Sequence, residues 1–275
     1  MNLREALLQG QKLLEDASIG APRLTAEVLL AHATGQDRTW LYAHATDELR
    51  EVWWIHFGRY LHERMQGKPT QYITGRQEFF GREFRVTPDV LIPRPETEHL
   101  IESALGFSKN TATILDIGTG SGAIAVTLAL ETKARIFATD ISEAALRVAA
   151  SNARSLGARV EFIACDLASP IHGRFDLVVS NPPYVPREDQ SNIQREVRDF
   201  EPEVALYGGS DGLEIYRRLI PEAERLLKPG GWLMLELGYK SGQAVRAMLD
   251  ERWTEIEFVA DLAGWPRVVR AKFEG

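Results

Sequence analysis

Four consecutive residues, Asn181, Pro182, Pro183 and Tyr184, combine side-chain and backbone groups that can bind a planar NH2 group. They follow the apolar run 175–180, which is typical of a buried parallel strand, and the two prolines end that strand. Asn181 then stands at the carboxyl edge of a sheet, where open α/β sheets bind ligands. Its carboxamide oxygen and a backbone carbonyl can accept the two N–H bonds, and the Tyr184 ring can cover the π face. The same residues also fit a proline-rich turn with a packed tyrosine, so the motif alone leaves both interpretations open.

A glycine-rich loop lies upstream, between a predicted strand and a predicted helix. It consists of Gly118, Thr119, Gly120, Ser121 and Gly122. Glycines let the backbone approach a ligand closely and expose N–H groups at a helix N-terminus. The spacing G-x-G-x-G differs from the dinucleotide pattern, and the preceding Asp116 would attract an ammonium group but repel a phosphate. The loop therefore favours S-adenosylmethionine over NAD, although a glycine loop alone also fits a tight strand–helix turn.

Two acidic residues end the next two predicted strands. Asp140 ends the second strand, where a carboxylate can accept hydrogen bonds from both ribose hydroxyls. Asp166 ends the third strand, where it can accept the adenine amino group or cap the following turn, and Leu167 can pack on the adenine face. Four consecutive strand ends thus carry a glycine loop, two acids and the Asn181 motif. Together they predict one site that binds an adenosine-containing methyl donor and a substrate whose NH2 group accepts the methyl group.

Alternating strand and helix patterns must position these residues. The candidate strands are 114–117, 135–140, 160–165, 175–180, 232–237, 255–259 and 268–273. Helical patterns separate the earlier strands, which predicts an α/β fold with a doubly wound, seven-stranded, mostly parallel sheet. The last two strands are joined by the short segment 261–266 without a helix, so the final strand is predicted to be antiparallel.

Three regions follow from the same patterns. Residues 1–74 are predicted to form a small helical bundle, with helices over 3–14, from Pro22 and over 47–65. Residues 75–95 form a connector with a β-hairpin across Gly81. Residues 96–275 form the sheet domain, which opens with a helix. Acidic and basic residues balance in the first region, which favours a protein-binding, substrate-binding or structural role.

Composition excludes several functional classes. The 275 residues are 44% hydrophobic and carry a net charge of −7, so no global positive field would attract nucleic acid or an anionic membrane. The single Cys165 fits a reducing cytoplasm. The six histidines lack the spacing of a metal site, and we expect no metal. We also expect a cytoplasmic monomer, since no targeting segment, membrane span or exposed apolar stripe is evident.

Longer motifs resemble a known family. Residues 67–75 read GKPTQYITG, residues 91–98 read LIPRPETE, and residues 200–206 read FEPEVAL and continue to GGSDG at 208–212. With the Asn181 motif, they resemble the HemK/PrmC proteins, the peptide chain release factor glutamine methyltransferases. These are class I S-adenosylmethionine-dependent methyltransferases, and the resemblance covers nearly the whole chain.

The resemblance implies a specific reaction. The family methylates the side-chain amide nitrogen of the Gln in the Gly-Gly-Gln motif of class I release factors, which modulates translation termination. Residues 118–122 and Asp140 would then bind the cofactor, and Asn181 through Tyr184 would bind the substrate Gln, with Asn181 also near the cofactor. Leu167 departs from the pattern, because some relatives carry an aromatic residue there; adenine stacking is expected to be weaker.

An amide nitrogen is a poor nucleophile because its lone pair is delocalised. We therefore expect Asn181, Pro182 and Tyr184 to act by orientation and electrostatics, without a strong base: Asn181 Oδ1 and the Pro182 carbonyl would accept the two N–H bonds, beside the Tyr184 ring. Two alternatives remain. One is a nucleic-acid exocyclic-amine methyltransferase of the adenine-amino type, because the same motif suits any such amine. The other is a binding module without catalytic activity.

Overall fold

The computed structural model describes residues 1–107, 111–261 and 263–275. These residues form two units, of which the first comprises Met1–Arg76 with Gln194–Phe200 and the second Gln77–Ile193 with Glu201–Gly275. Every residue singled out above for the candidate site falls in the second unit. No helix of the described ranges is both long and apolar enough to cross a bilayer.

The helices and strands are numbered separately in chain order. The described α-helices are α1 (Leu3–Asp16), α2 (Pro22–Thr34), α3 (Arg38–Ala43), α4 (Glu51–Met65), α5 (Thr70–Thr74), α6 (Glu98–Gly106), α7 (Ala123–Glu131), α8 (Glu143–Leu156), α9 (Arg195–Phe200), α10 (Glu203–Leu206), α11 (Glu214–Leu226) and α12 (Gly242–Arg246). Short 3-10 helices cover Pro95–Thr97 and Arg187–Asn192. The strands are β1 (Arg76–Phe79), β2 (Arg82–Arg85), β3 (Thr113–Ile117), β4 (Arg135–Asp140), β5 (Val160–Ala164), β6 (Phe175–Ser180), β7 (Leu227–Glu236), β8 (Trp253–Ala260) and β9 (Pro266–Phe273).

The first unit is a helical bundle, as the sequence predicts. Its first helix begins with a capping box, in which Asn2 Oδ1 accepts the Glu5 N–H at 2.9 Å and Glu5 Oε2 accepts the Asn2 N–H at 3.0 Å. Gly10 lets α1 approach α4, because a Cβ there would lie 2.5 Å from the Phe57 ring. The third predicted helix was placed too early: α4 begins at Glu51, since Arg50 is extended.

The second unit contains a seven-stranded sheet in the order β5-β4-β3-β6-β7-β9-β8. Strand β9 pairs antiparallel with both β7 and β8, whereas the pairs β5–β4, β4–β3, β3–β6 and β6–β7 are parallel. Apolar residues of α6 and α7 cover one face of the sheet, and those of α11 and α12 cover the other. The prediction of a doubly wound sheet with an antiparallel last strand is therefore confirmed.

Two details of the strands differ from or refine the prediction. Strand β7 begins at Leu227, directly after α11, because Leu227 pairs with Phe175 before a register shift; the predicted start lay five residues later. The hairpin forms across Gly81 as expected. Phe80 and Gly81 have φ values of 50° and 69°, which is the geometry of the tight turns that suit twisted two-stranded ribbons.

Candidate active site

The glycine loop folds back against the end of the neighbouring strand. Gly118, Gly120 and Gly122 have φ values of 75°, 55° and 83°, a backbone region that residues other than glycine rarely adopt. The N–H groups of Gly118 and Thr119 both donate to the Thr139 carbonyl at 2.9 Å. These bonds fix the loop over the carboxyl ends of β3 and β4, which is where the sequence placed a ligand.

Asp140 is held by backbone N–H groups on both carboxylate oxygens. Oδ2 accepts the Gly120 N–H and Oδ1 accepts the Ser142 N–H, each at 2.8 Å. Burial raises the pKa of Asp140, and the backbone N–H groups of Ser142, Gly120 and Ile141 oppose that effect. Each oxygen keeps a lone pair for a ligand hydroxyl.

Asp116 lies beneath the loop and is fully buried. Thr119 Oγ1 donates to its Oδ2 at 2.7 Å. Burial raises the pKa of Asp116 to about 7, against the effect of the Thr119 hydrogen bond. A cation bound nearby would favour the ionised form of this carboxyl group.

A cavity of about 220 Å³ lies at these strand ends; we call it the strand-end cavity. Seven predicted site residues line it: Gly118, Gly120, Asp140, Asp166, Leu167, Asn181 and Pro183. The other five predicted residues are absent from the lining. Thr119 and Ser121 are buried within the loop, Gly122 precedes α7, and Pro182 is buried. Tyr184 is partly buried and packs against the hydrophobic core.

Asp166 forms an ion pair that the sequence analysis missed. Arg218 Nη2 donates to Asp166 Oδ2 at 2.5 Å, and both residues line the strand-end cavity. Arg218 lies 52 residues further along the chain on an amphipathic helix, where an arginine gives no local signal of a site. Leu167, the next residue after Asp166, has φ 50°, a strained backbone conformation for a leucine.

Asn181 and Tyr184 are joined through two buried residues, Thr97 and Glu236, and we call these four the Glu236 network. Asn181 Nδ2 donates to Thr97 Oγ1 at 3.2 Å, and Thr97 Oγ1 donates to Glu236 Oε2 at 2.7 Å. The Tyr184 hydroxyl donates to Glu236 Oε1 at 3.4 Å. One N–H of the Asn181 amino group is bound to Thr97, so the amino group is turned toward Thr97 and Oδ1 is the carboxamide atom available as an acceptor for a ligand.

Burial sets the ionisation of this network. Glu236 is 2% exposed, and burial raises its pKa to about 7, while the Thr97 hydrogen bond lowers it. Burial likewise raises the pKa of Tyr184. Glu236 was not singled out from the sequence, although an acid at the carboxyl end of an apolar strand was an available signal.

Glycines of the 208–212 segment allow the turn after Asn181 to pack closely. A Cβ at Gly208 would lie 2.5 Å from the Pro183 carbonyl oxygen, and one at Gly212 would lie 2.4 Å from the Tyr184 carbonyl oxygen. Gly238 likewise approaches the Tyr184 ring, at 2.8 Å for an added Cβ. These contacts explain physically why a glycine-rich segment accompanies the Asn181 motif.

Two family models match the chain. The PrmC N-terminal domain matches residues 5–75, and a methyltransferase domain matches residues 108–264. Among solved structures, a methyltransferase from Pyrococcus furiosus superposes with a TM-score of 0.56 at 21% identity, over 72% of this chain and 91% of that one. A 16S rRNA methyltransferase of T. thermophilus, in complex with AdoMet and guanosine, gives 0.53 at 19% identity, over 72% and 49%. These two structures establish the fold.

Curated relatives are much more similar. A protein from Koribacter versatilis is 46% identical over 98% of each chain. A relative from Bordetella pertussis is 44% identical over 93% of this chain and 97% of its own, and one from Bacillus cereus is 38% identical over all of both chains. All three are named release factor glutamine methyltransferase. The resemblance found in the sequence is confirmed, and the chain belongs to the release factor glutamine methyltransferase family.

Proposed function

We propose that this protein transfers the methyl group of S-adenosylmethionine to the side-chain amide nitrogen of the Gln in the Gly-Gly-Gln motif of class I peptide chain release factors, and so modulates translation termination. The observation that carries the proposal is the match to release factor glutamine methyltransferases over nearly the whole chain. The orientation of Asn181 agrees with it, because Oδ1 is left as an acceptor for a planar NH2 group.

The strand-end cavity fits the cofactor. A Cβ at Gly118 or Gly120 would meet no atom within 4 Å, so the loop backbone borders open space that a ligand can fill. Asp140 would accept the ribose hydroxyls, and Asp166 and Leu167 would contact the adenine. Asp116 would favour the ammonium group electrostatically. When bound, the cofactor supplies an electrophilic methyl group on its sulfonium.

The Asn181 motif would orient the acceptor amide. Asn181 Oδ1 and the Pro182 carbonyl would accept its two N–H bonds, and the Tyr184 ring would lie against its face. Positive charge that develops on the nitrogen would then face carbonyl dipoles and an aromatic ring. As the bond between this nitrogen and the methyl carbon formed, the sulfur–methyl bond would break, S-adenosylhomocysteine would leave, and the nitrogen would lose one proton to water. Orientation of this kind can contribute ~7–11 kcal/mol to barrier lowering.

The helical bundle of residues 1–74 would bind the release factor. It matches the PrmC N-terminal domain, and its balanced charge disfavours a nucleic-acid partner. We place the activity in the cytoplasm, since the lone Cys165 suits a reducing compartment. We expect a monomer that needs no metal and forms no stable nucleic-acid complex.

A labelled methyl-transfer assay tests this function. Purified protein and radiolabelled S-adenosylmethionine are incubated with an intact release factor, with the same factor carrying Ala in place of its Gly-Gly-Gln glutamine, with duplex DNA and with ribosomal RNA. Label on the intact factor alone is the expected result. Label on nucleic acid alone would replace the proposal with the exocyclic-amine reaction, and cofactor binding without any transfer would indicate a binding module.

A further inference from the structure

Thr97 links the Asn181 carboxamide to the buried Glu236 carboxylate through two hydrogen bonds, and the donor and acceptor of each bond are fixed. The Thr97 hydroxyl has a single hydrogen, which it donates to Glu236 Oε2 at 2.7 Å. Its lone pairs are then the groups that face Asn181, so the hydroxyl accepts the Asn181 Nδ2–H bond at 3.2 Å. An ionised Glu236 therefore fixes the direction of both hydrogen bonds, because a carboxylate can only accept.

This direction determines what the site presents to a substrate. With Nδ2 bound to Thr97, the carboxamide of Asn181 offers Oδ1, which is an acceptor. A rotation of the carboxamide by about 180° would offer Nδ2 instead, and a donor cannot bind an NH2 group. Neither Thr97, 4% exposed, nor Glu236, 2% exposed, has ready access to water that could replace a lost partner.

The same carboxylate also holds the aromatic part of the motif. Its second oxygen, Oε1, accepts the Tyr184 hydroxyl at 3.4 Å. Tyr216 fixes the backbone at this point, since its hydroxyl donates to the Glu236 carbonyl at 2.7 Å. The buried Glu236 side chain thus contacts Tyr184 directly and is linked to Asn181 through the Thr97 hydroxyl.

We propose that Thr97 and Glu236 are positioning residues that orient Asn181 and Tyr184 so that the site accepts, and does not donate, hydrogen bonds to the substrate amide. The proposal rests on the function proposed above. Neither residue needs to touch the substrate; both act through Asn181 and Tyr184.

The ionisation of Glu236 makes the pH dependence of activity a second test of the proposal. Glu96 raises the pKa of Glu236, while Arg267 and the hydroxyl of Tyr184 lower it. Arg267 is itself paired with Asp261 at 2.8 Å. Protonation of Glu236 would add a donor that can reverse the Thr97 hydrogen bond, so activity should fall as the network is protonated.

Three variants test the proposal, with kcat, the cofactor Kd and the melting temperature measured for each. Thr97→Val keeps the shape but removes the hydroxyl, and kcat should fall about 10- to 100-fold with the cofactor Kd little changed. Thr97→Ser restores the hydroxyl and should recover most of that loss. Glu236→Gln should lower kcat and remove the acid limb that Glu236 is expected to give to the pH profile of kcat. This profile is measured at saturating cofactor, whose ammonium group should keep Asp116 ionised.

The possible results separate the two proposals. Wild-type protein that methylates the release factor, with Thr97→Val equal to it in kcat, would overturn the positioning role and leave the function intact. Equal losses in Thr97→Val and Thr97→Ser, or an unchanged acid limb in Glu236→Gln, would also overturn it, since either would indicate a packing role. Wild-type protein that does not methylate the factor would overturn both.

Discussion

Gly120 donates its backbone N–H to Asp140 Oδ2 at 2.8 Å, which joins the glycine loop to the end of β4. Ser142 occupies the other oxygen of the same carboxylate. Asp140 therefore has two tasks: it holds the loop in shape, and it presents its remaining lone pairs at the strand-end cavity.

Asp140→Asn should weaken cofactor binding. The Asn side chain must turn its NH2 group toward the backbone N–H of either Gly120 or Ser142, so one of these two contacts becomes repulsive and a ribose acceptor is lost. We expect the cofactor Kd to rise at least about tenfold by calorimetry. Asp250→Asn is the matched control, because that exposed carboxylate also accepts a backbone N–H but lies away from the cavity. Equal Kd values for both variants would contradict the role of Asp140.

Gly122→Ala should destabilise the protein more than another glycine substitution with similar backbone strain. Gly122 and Gly157 have φ values of 83° and 76°, so alanine at either costs about 1–2 kcal/mol of strain. A Cβ at Gly122 would also lie 3.0 Å from the Ala149 Cβ, whereas one at Gly157 would meet nothing within 4 Å. We expect Gly122→Ala to cost about 1–3 kcal/mol more in denaturant unfolding. Equal losses of unfolding free energy in Gly122→Ala and Gly157→Ala would show that the helices shift to accommodate the added methyl group without a measurable cost.

Asn152 connects the glycine loop to the hairpin, and its replacement should destabilise both. Its Nδ2 donates to the Ser121 carbonyl at 2.8 Å and the Arg85 carbonyl at 3.0 Å, and its Oδ1 accepts the Arg85 N–H at 2.8 Å. Asn152→Ala should cost about 3 kcal/mol of unfolding free energy.

Asn152→Asp is the sharper comparison, because it directs a carboxylate oxygen at two carbonyl oxygens. It should be less stable than Asn152→Ala at neutral pH and should recover at acid pH, when the carboxyl group is protonated. A stability of Asn152→Asp equal to wild type at pH 7 would show that these contacts do not form.

Buried Asp116 should make the cofactor-free protein less stable as pH rises. Its folded pKa of about 7 lies above the ordinary value of 3.8, so the folded state binds the extra proton between these values. Its contribution is fully present below about pH 4 and is lost as pH rises through 7. Relative to Asp116→Asn, wild type should lose on the order of 4 kcal/mol across this window.

The comparison with the variant removes the effect of other titrating groups, Glu236 among them. Unfolding free energies of the two proteins should be measured in urea at several pH values from 4 to 8. A difference that stays constant over this range would mean that Asp116 titrates normally in the folded protein.

The location of several predicted site residues at one edge of the sheet could be predicted from the sequence. The glycine loop, Asp140 and Asn181 each follow an apolar strand, and parallel strands bring their carboxyl ends to one edge, so the strand-end cavity follows from the pattern. The hairpin turn could also be predicted from the sequence, because Gly81 lies between two short strand patterns.

Contacts between distant residues could not be predicted in this way. Thr97 and Glu236 are 139 residues apart, and nothing in either local pattern indicates that they meet. The hydrogen bond between Asp166 and Arg218 likewise joins residues that are far apart in the sequence, 52 positions from one another. These contacts depend on the order of the strands and on how the helices pack. Both depend on interactions across the whole sheet and not on a local sequence pattern.

The proposed mechanism requires that the Asn181 carboxamide binds and orients the amide that is methylated. The most direct test is the turnover of Asn181→Ala with an intact release factor, measured beside its cofactor Kd. We expect kcat to fall by orders of magnitude while the cofactor affinity changes much less. A kcat close to that of wild type would contradict the claim.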